Sequence, residues 1–416
     1  MVDFANLITK RLSLLECVNI VKDTMDWKNI ETMKLNGIQW LESNKVKAFY
    51  SVARHSNFGA GARVALELAG LGKMKPNLVM IGFKENWQTS PKETKEYYQV
   101  LQSGFDIRLS VAVLRVPGGM DLSALGEAPV FTVDPVKPKA PMMISIDSGL
   151  DDMKDLPPPP PYDQGIPSKL SFREQQELEH HGKKSMFARS AKKERQRPVL
   201  INSQGGEIQD VEIIRKMTQF RGAEAIDGFI DVYWLYDDGG LTLLMPYILT
   251  TRKKFAHCKL RVFVLGSINE ELDTETKNMA ILLAKFRIEF HDIIILTDVT
   301  KYPGKKIRDE FKQMVAPLVQ ANGPRSETRS ADGTTLMTQA DLINNAEKTN
   351  FHLRLAEIVR ENSKHSSLVV MTLPMPKKDH SLPFGVYMSW LDITTRQMPP
   401  FLLIRGNQES VLTFYS

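Results

Sequence analysis

The stretch Asp231–Leu265, DVYWLYDDGGLTLLMPYILTTRKKFAHCKLRVFVL, decides the fold. Its two ends are apolar runs rich in β-branched and aromatic residues: Val232, Tyr233 and Trp234 at one end, Val262, Phe263 and Val264 at the other. Between them lies Asp237-Asp238-Gly239-Gly240 and then an amphipathic segment. The pattern predicts strand, turn, helix, strand, with a connection long enough for the strands to pair in parallel. Gly239 and Gly240 free the backbone for the turn, and Asp238 is placed to cap the helix.

The same alternation extends in both directions. Upstream, the expected elements are a helix over 2–12, a strand over 14–21, a helix over 30–41 and a strand over 46–53. A helix over 58–71 follows, stopped by Gly70, Gly72 and Pro76. A strand over 78–83 precedes Ser90-Pro91-Lys92-Glu93, which has the lettering of a capping box and predicts a helix from there to Ser103, stopping at Gly104. A strand over 107–116 closes this half. Downstream, helices are expected over 271–286, 305–319, 339–362 and 383–396. Strands are expected over 291–297, 368–373, 401–404 and 411–415. Strands that are apolar throughout, alternating with helices, predict parallel sheets covered on both faces. The fold class is therefore α/β, with one subdomain at 1–116 and another at 226–416.

Residues 117–225 have a different texture. They hold the proline run Pro157–Pro161, an acidic patch (Asp147, Asp151, Asp152, Asp155) and the basic stretch HHGKKSMFARSAKKERQR over 180–197. This composition predicts a long disordered linker, with the proline run as an extended spacer. PVLIN at 198–202 is the part most suited to docking on a neighbour. The basic stretch suits contact with anionic lipid at about 1 kcal/mol per residue near the surface. Ser185 and Ser190 lie within it, and phosphorylation of either would cut the local charge. Unchanged liposome affinity on deleting 180–197 would sink the lipid hypothesis.

Composition excludes little but helps. The net charge of +5 is mild for 416 residues and lies partly in the linker, so no nucleic-acid partner is expected. The two cysteines, Cys17 and Cys258, lie in or beside apolar strands and read as buried free thiols. No signal peptide or membrane-spanning run is legible; 241–249 is about half the roughly 20 residues a span needs.

Chemistry is sparse. Asp237 and Asp238 sit where ligands bind in open α/β sheets, at a strand's carboxyl end, and two carboxylates suit a divalent cation. A capped turn is the better reading, since the glycines already serve backbone geometry. Gly70-Leu71-Gly72-Lys73 follows a helix instead of preceding one, and Gly182-Lys183-Lys184-Ser185 lacks a phosphate loop's first glycine. His55-Ser56 has no nucleophile elbow around it, and His257-Cys258 reads as packing or capping. No catalytic residue, metal or cofactor is assigned.

Three segments carry a resemblance. WLYDDGGLTLLMPYILTTRKKFAHCKLRVF resembles the hallmark segment in the cytosolic C-terminal domain of cation-chloride cotransporters, most closely the sodium-coupled branch that includes the sodium-potassium-chloride cotransporters. AGLGKMKPNLVMIGFKENW is similar to the first half of that domain, and PPFLLIRGNQESVLTFYS to its end. The resemblance implies that each half is a universal-stress-protein-like domain and that a strand precedes residue 2. With the chain starting at the helix, the first sheet then has an edge or gap to manage. It marks Asp237, Asp238, Gly239 and Gly240 as a structural family turn. It also implies a regulatory and dimerisation module on the cytoplasmic side of the plasma membrane. The module would pair as a homodimer beneath the membrane domain of an electroneutral sodium-potassium-chloride symporter, open to regulatory kinases. It would hold no pore and no enzymatic activity. Two other readings remain open: a freestanding α/β nucleotide-binding protein, and a truncated paralogue that poisons full-length transporters.

Overall fold

The computed structural model describes residues 1–10, 12–118, 218–222, 224–266, 272–320, 334–376 and 382–412. Most of the predicted linker therefore lies outside the described residues. So do the proline run, the basic stretch with Ser185 and Ser190, and PVLIN.

The first half runs α1 (Val2–Thr9), β1 (Glu16–Val21), α2 (Trp27–Ser43), β2 (Phe49–Arg54), α3 (Phe58–Leu68), β3 (Leu78–Gly82), α4 (Pro91–Asp106) and β4 (Ser110–Arg115). The second half begins β5 (Asp227–Trp234), α5 (Leu241–Thr250), β6 (His257–Leu265), α6 (Leu272–Lys285), β7 (Asp292–Leu296) and α7 (Lys305–Val315). It continues with the short strands β8 (Val319–Gln320) and β9 (Met337–Thr338), then α8 (Gln339–Asn344), α9 (Ala346–Ser363), β10 (Leu368–Thr372), α10 (Phe384–Thr395) and β11 (Phe401–Arg405).

The α/β class with parallel strands is present as read, but the two halves do not form separate layers. Seven strands share one sheet in the order β3-β4-β11-β10-β5-β6-β7. The halves meet where β4 pairs antiparallel with β11, from Phe401 opposite Arg115 to Arg405 opposite Val111. Every other pair in this sheet is parallel. The reason is burial: β4 (SVAVLR) and β11 (FLLIR) are apolar on both faces, so neither suits a solvent-facing edge. β1 and β2 pair with each other in a separate two-stranded parallel sheet.

Alternate residues feed two cores. Val111, Val113, Val369, Met371, Phe401 and Leu403 face a layer that includes α4, α7, α9 and α10. Ala112, Leu114, Leu368, Val370, Leu402 and Ile404 face α1, α5 and α6. Helix α10 is buried along almost its whole length, from Gly385 to Thr395.

Several boundaries differ from expectation. Ser90 is the N-cap of α4 but makes no side-chain cap bond, and Glu93 pairs instead with Lys84 at 2.8 Å. Helix α4 continues through Gly104 because that residue packs on the sheet: a Cβ there would lie 2.8 Å from Val111 Cγ2. Helix α7 ends at Val315, where Pro317 sits in a 3-10 turn over 316–318. The helix expected over 339–362 is two helices, separated at Asn345. Its start carries a capping box that the lettering Thr338–Asp341 hid, since aspartate replaces the usual Glu or Gln. Residues 411 and 412 form no strand, and 413–416 lie outside the described residues. Cys17 is only partly buried, whereas Cys258 is buried; both are free.

Candidate functional site: the Asp237–Gly240 turn

Strand β5 ends at Trp234 because the chain must leave the sheet for α5, and the turn at 237–240 makes that change of direction. Gly239 and Gly240 both have positive φ, 77° and 87°. Gly240 is the N-cap residue of α5, not Asp238 as expected, and it brings no side chain to the task.

Asp238 nevertheless serves the helix start from outside it. Its carboxylate is buried and accepts from the Gly240 amide at 3.2 Å, the Thr242 amide at 3.1 Å and the Thr242 hydroxyl at 2.7 Å. It also accepts from the Gly406 amide at 3.2 Å. Negative charge at a helix N-terminus is favourable, and the carboxylate oxygens accept from amides that the helix leaves unpaired. Asp237 stays exposed and accepts from the Gly239 amide at 3.0 Å, a local turn bond.

The Gly406 bond reveals what the turn holds. Residues 406–412, after β11, lie across it. The Val411 amide donates to Gly239 O at 2.9 Å. A Cβ on Gly239 would meet Glu409 O at 2.1 Å, one on Gly240 Leu412 Cδ1 at 2.4 Å, and one on Gly406 Asp238 O at 2.0 Å. Gly239 and Gly406 thus let two backbones touch, and Gly240 makes room for the Leu412 side chain. Asn407 extends the contact to the first half, donating to Arg108 O at 2.9 Å. Arg405 donates to Leu373 O at 3.1 Å and stacks over the Tyr236 ring.

This turn stands next to the point where strand order reverses. From β5 the chain moves outward through β6 and β7, and β10 then returns to β5's other side. Ligands of open α/β sheets bind in that crevice. Here the Leu235 amide donates to Thr372 Oγ1 at 3.2 Å, and the Asp238–Thr242 pair and the 406–412 segment fill the adjoining ground. Protein donors take both Asp238 oxygens, so the cation reading finds no support in their geometry. Among the described residues there is no cluster of three potential metal ligands.

The other sequence candidates fall elsewhere. Gly70 and Gly72, both with positive φ, shape the turn after α3. His55 Nδ1 accepts from the Asn57 amide, and His257 opens β6 paired with exposed Asp227 at 2.9 Å. Sequence reasoning missed a buried polar knot on α10. Asp392 accepts from Trp87 Nε1 at 3.0 Å, from Arg115 at 2.8 Å and from Arg396. Burial would push its carboxyl upward, but the Arg396 and Arg115 guanidiniums overcome this and hold it below the usual range. Arg115 reaches on to Glu85 at 2.7 Å and lies over Phe83. Nothing in the lettering joins Trp87 to Asp392 across 305 positions.

Comparison with known proteins is decisive for the family. The description Solute carrier family 12 matches residues 1–416. This chain belongs to solute carrier family 12. The family 12 relatives include a bumetanide-sensitive sodium-(potassium)-chloride cotransporter of Manduca sexta, 34% identical over 431 residues, covering 100% of this chain and 39% of the relative. Solute carrier family 12 member 2 of Homo sapiens is 33% identical over 423 residues, covering 98% of this chain and 33% of the relative. The chain thus spans between a third and two-fifths of these family 12 proteins. A crystal structure of the cytoplasmic domain of a prokaryotic cation chloride cotransporter aligns over 98% of this chain at 8% identity and a TM-score of 0.39. No helix among the described residues is long and apolar enough to cross a membrane.

Proposed function

We propose that this chain is a cytoplasmic regulatory and self-associating module of a sodium-coupled cation-chloride cotransporter. It supports sodium, potassium and chloride movement by a membrane domain without contributing a pore. The observation that carries this reading is the family match over the whole chain, set beside the fraction of each relative that the chain spans. The turn agrees with it. The marker residues Asp237–Gly240 spend their hydrogen-bonding capacity on α5 and on residues 406–412, which is what a scaffold needs and a catalytic loop does not.

The nucleotide alternative is disfavoured at this turn. A phosphate at the N-terminus of α5 would have to displace both the Asp238 carboxylate and the segment over it. The test is the mass of the purified chain by light scattering at tens of micromolar, with a tagged full-length family member co-expressed in parallel. A dimer that also co-purifies with the transporter is expected. A strict monomer that fails to co-purify would overturn the reading.

A further inference from the structure

The first half leaves two strand edges open toward each other. Among the described residues β1 pairs only with β2, and β3 only with β4. The Phe49 and His55 amides donate to Leu15 O and Val21 O, so the odd-numbered residues of β1 face β2. The Val18 and Ile20 amides therefore point to the opposite, unpaired edge. Likewise the Ser110 amide donates to Asn77 O and the Phe83 amide to Leu114 O, which turns the Leu78, Met80 and Gly82 amides away from β4. β3 (LVMIG) is as apolar as β4, yet its residues are only partly buried, whereas almost all of β4 is buried. Val18 on β1 is exposed. A strand apolar on both faces suits the inside of a sheet, not its edge.

The covering helices fix the spacing. Helix α4 lies across β3 and β4: a Cβ on Gly104 would be 2.8 Å from Val111 Cγ2 and 3.2 Å from Val79 Cγ1. Helix α3 packs on α4, where Glu96 accepts from the Phe58 amide at 2.9 Å. It also packs on β1, where a Cβ on Gly61 would be 3.0 Å from Ile20 Cγ2. Neighbouring helices stand about 8–10 Å apart, which is two strand spacings of about 4.8 Å. Helix α3 thus spans β1 and one vacant strand position beside β3. The opposite face is covered by α1, whose Leu7 and Ile8 share a core with Leu78 and Met80. The two edges run the same way, since Glu16 at the start of β1 accepts from the Gly70 amide at 3.3 Å, where the chain turns toward β3.

We propose that this position is a docking slot for one extended strand of a partner polypeptide, parallel to β1 and β3 and bonded to both. Two facing rows of backbone donors and acceptors select a peptide backbone over a small molecule. The strand is five or six residues long, matching β3 and β1. Covered on both faces, it carries apolar side chains on each, with no charge and no proline at its centre. The Gly82 carbonyl already accepts from the Tyr97 hydroxyl at 2.9 Å, which ends the slot there.

The test uses the whole chain and two synthetic peptides, acetyl-KTVIVTK-amide and the same peptide with proline for its central isoleucine. Amide hydrogen exchange is read by mass spectrometry over residues 15–22, over 77–83 and, as an unrelated open edge, over 291–297 around β7. At millimolar peptide, exchange over β1 and β3 together is expected to slow about ten-fold, with β7 unchanged and the proline peptide inert. Met80→Pro removes one slot-facing N–H outside the β3–β4 ladder and should abolish the response, and Val18→Pro should do the same from β1. An unchanged melting curve establishes that each variant is folded; should both fail to fold, the proline peptide keeps the test decisive. No slowing, slowing of one strand alone, equal slowing of β7, or β1 and β3 already slow in the chain by itself would overturn the proposal.

Discussion

The Gly239–Gly240 pair shows how much can turn on the absence of two Cβ atoms. A left-handed backbone costs an L-residue about 1–2 kcal/mol, and here the space is also filled by Glu409 O and Leu412. Gly239→Ala should therefore cost more than the backbone term alone, about 2–4 kcal/mol, because residues 406–412 must lift away. Asp238→Ala strips an acceptor from three buried amides and should cost about 2–3 kcal/mol, whereas Asp238→Asn, which keeps a carbonyl, should cost less. Urea unfolding gives the energies, and carboxypeptidase digestion reads release of the C-terminal segment. Gly239→Ala with wild-type stability and an uncut C-terminus would show that the contact is incidental. The requirement for glycine here was legible from the sequence, since a strand-to-helix turn calls for positive φ. Its partner was not: Gly406 lies 168 positions from Asp238, and only the folded chain brings them together.

At the scale of elements, helices α9 and α10 cross through a stack that no periodicity announces. His352 on α9 lies face to face with Trp390 on α10, ring centres 4.5 Å apart, and the Trp390 N–H donates to Thr349 Oγ1 at 3.0 Å. Burial pushes the His352 imidazole down to about 3. The sign follows from proton counting. Between pH 6.5 and 3 the unfolded chain binds a proton at this residue and the folded chain does not. The stability is thus full above 6.5 and lost progressively as the pH falls toward 3. From pH 7 to 5 the loss attributable to His352 is about 2 kcal/mol. Urea midpoints at both pH values should show His352→Phe with a shallower dependence than wild type by that amount. Parallel slopes would mean that the ring is solvated and titrates normally. Element type was readable here because strands such as LVVMT and helices such as Phe384–Thr395 differ in length and flanking breakers. The break at Asn345 was not, since a helix-compatible residue ends one helix there and opens the next.

Over the whole molecule, the decisive feature is that one sheet passes through both halves. Each half alternates strand and helix in its own right, so local pattern reads as two layers. Pairing of β4 with β11 depends on contacts between positions almost three hundred apart, and the only local hint is that both strands are apolar on every face. The described residues accordingly fall within one compact unit, Met1–Ala128 with Gln209–Ser416. The β4–β11 junction is reinforced by the Trp87–Asp392 and Arg115–Asp392 bonds, which tie the first half to α10. Cutting the chain should therefore leave the halves together. With a protease site engineered between residues 150 and 155, the cleaved protein should elute from a sizing column as one species of unchanged radius. Its two pieces should part only in the denaturant range where the intact chain unfolds. Asp392→Ala, which leaves Arg115 and the Trp87 N–H without their buried acceptor, should cost about 3–5 kcal/mol and move that separation to lower denaturant. If the cleaved halves separate in buffer and each keeps a native-like melting transition, the shared sheet does not hold in solution, and the two-layer reading of the sequence would be the better description.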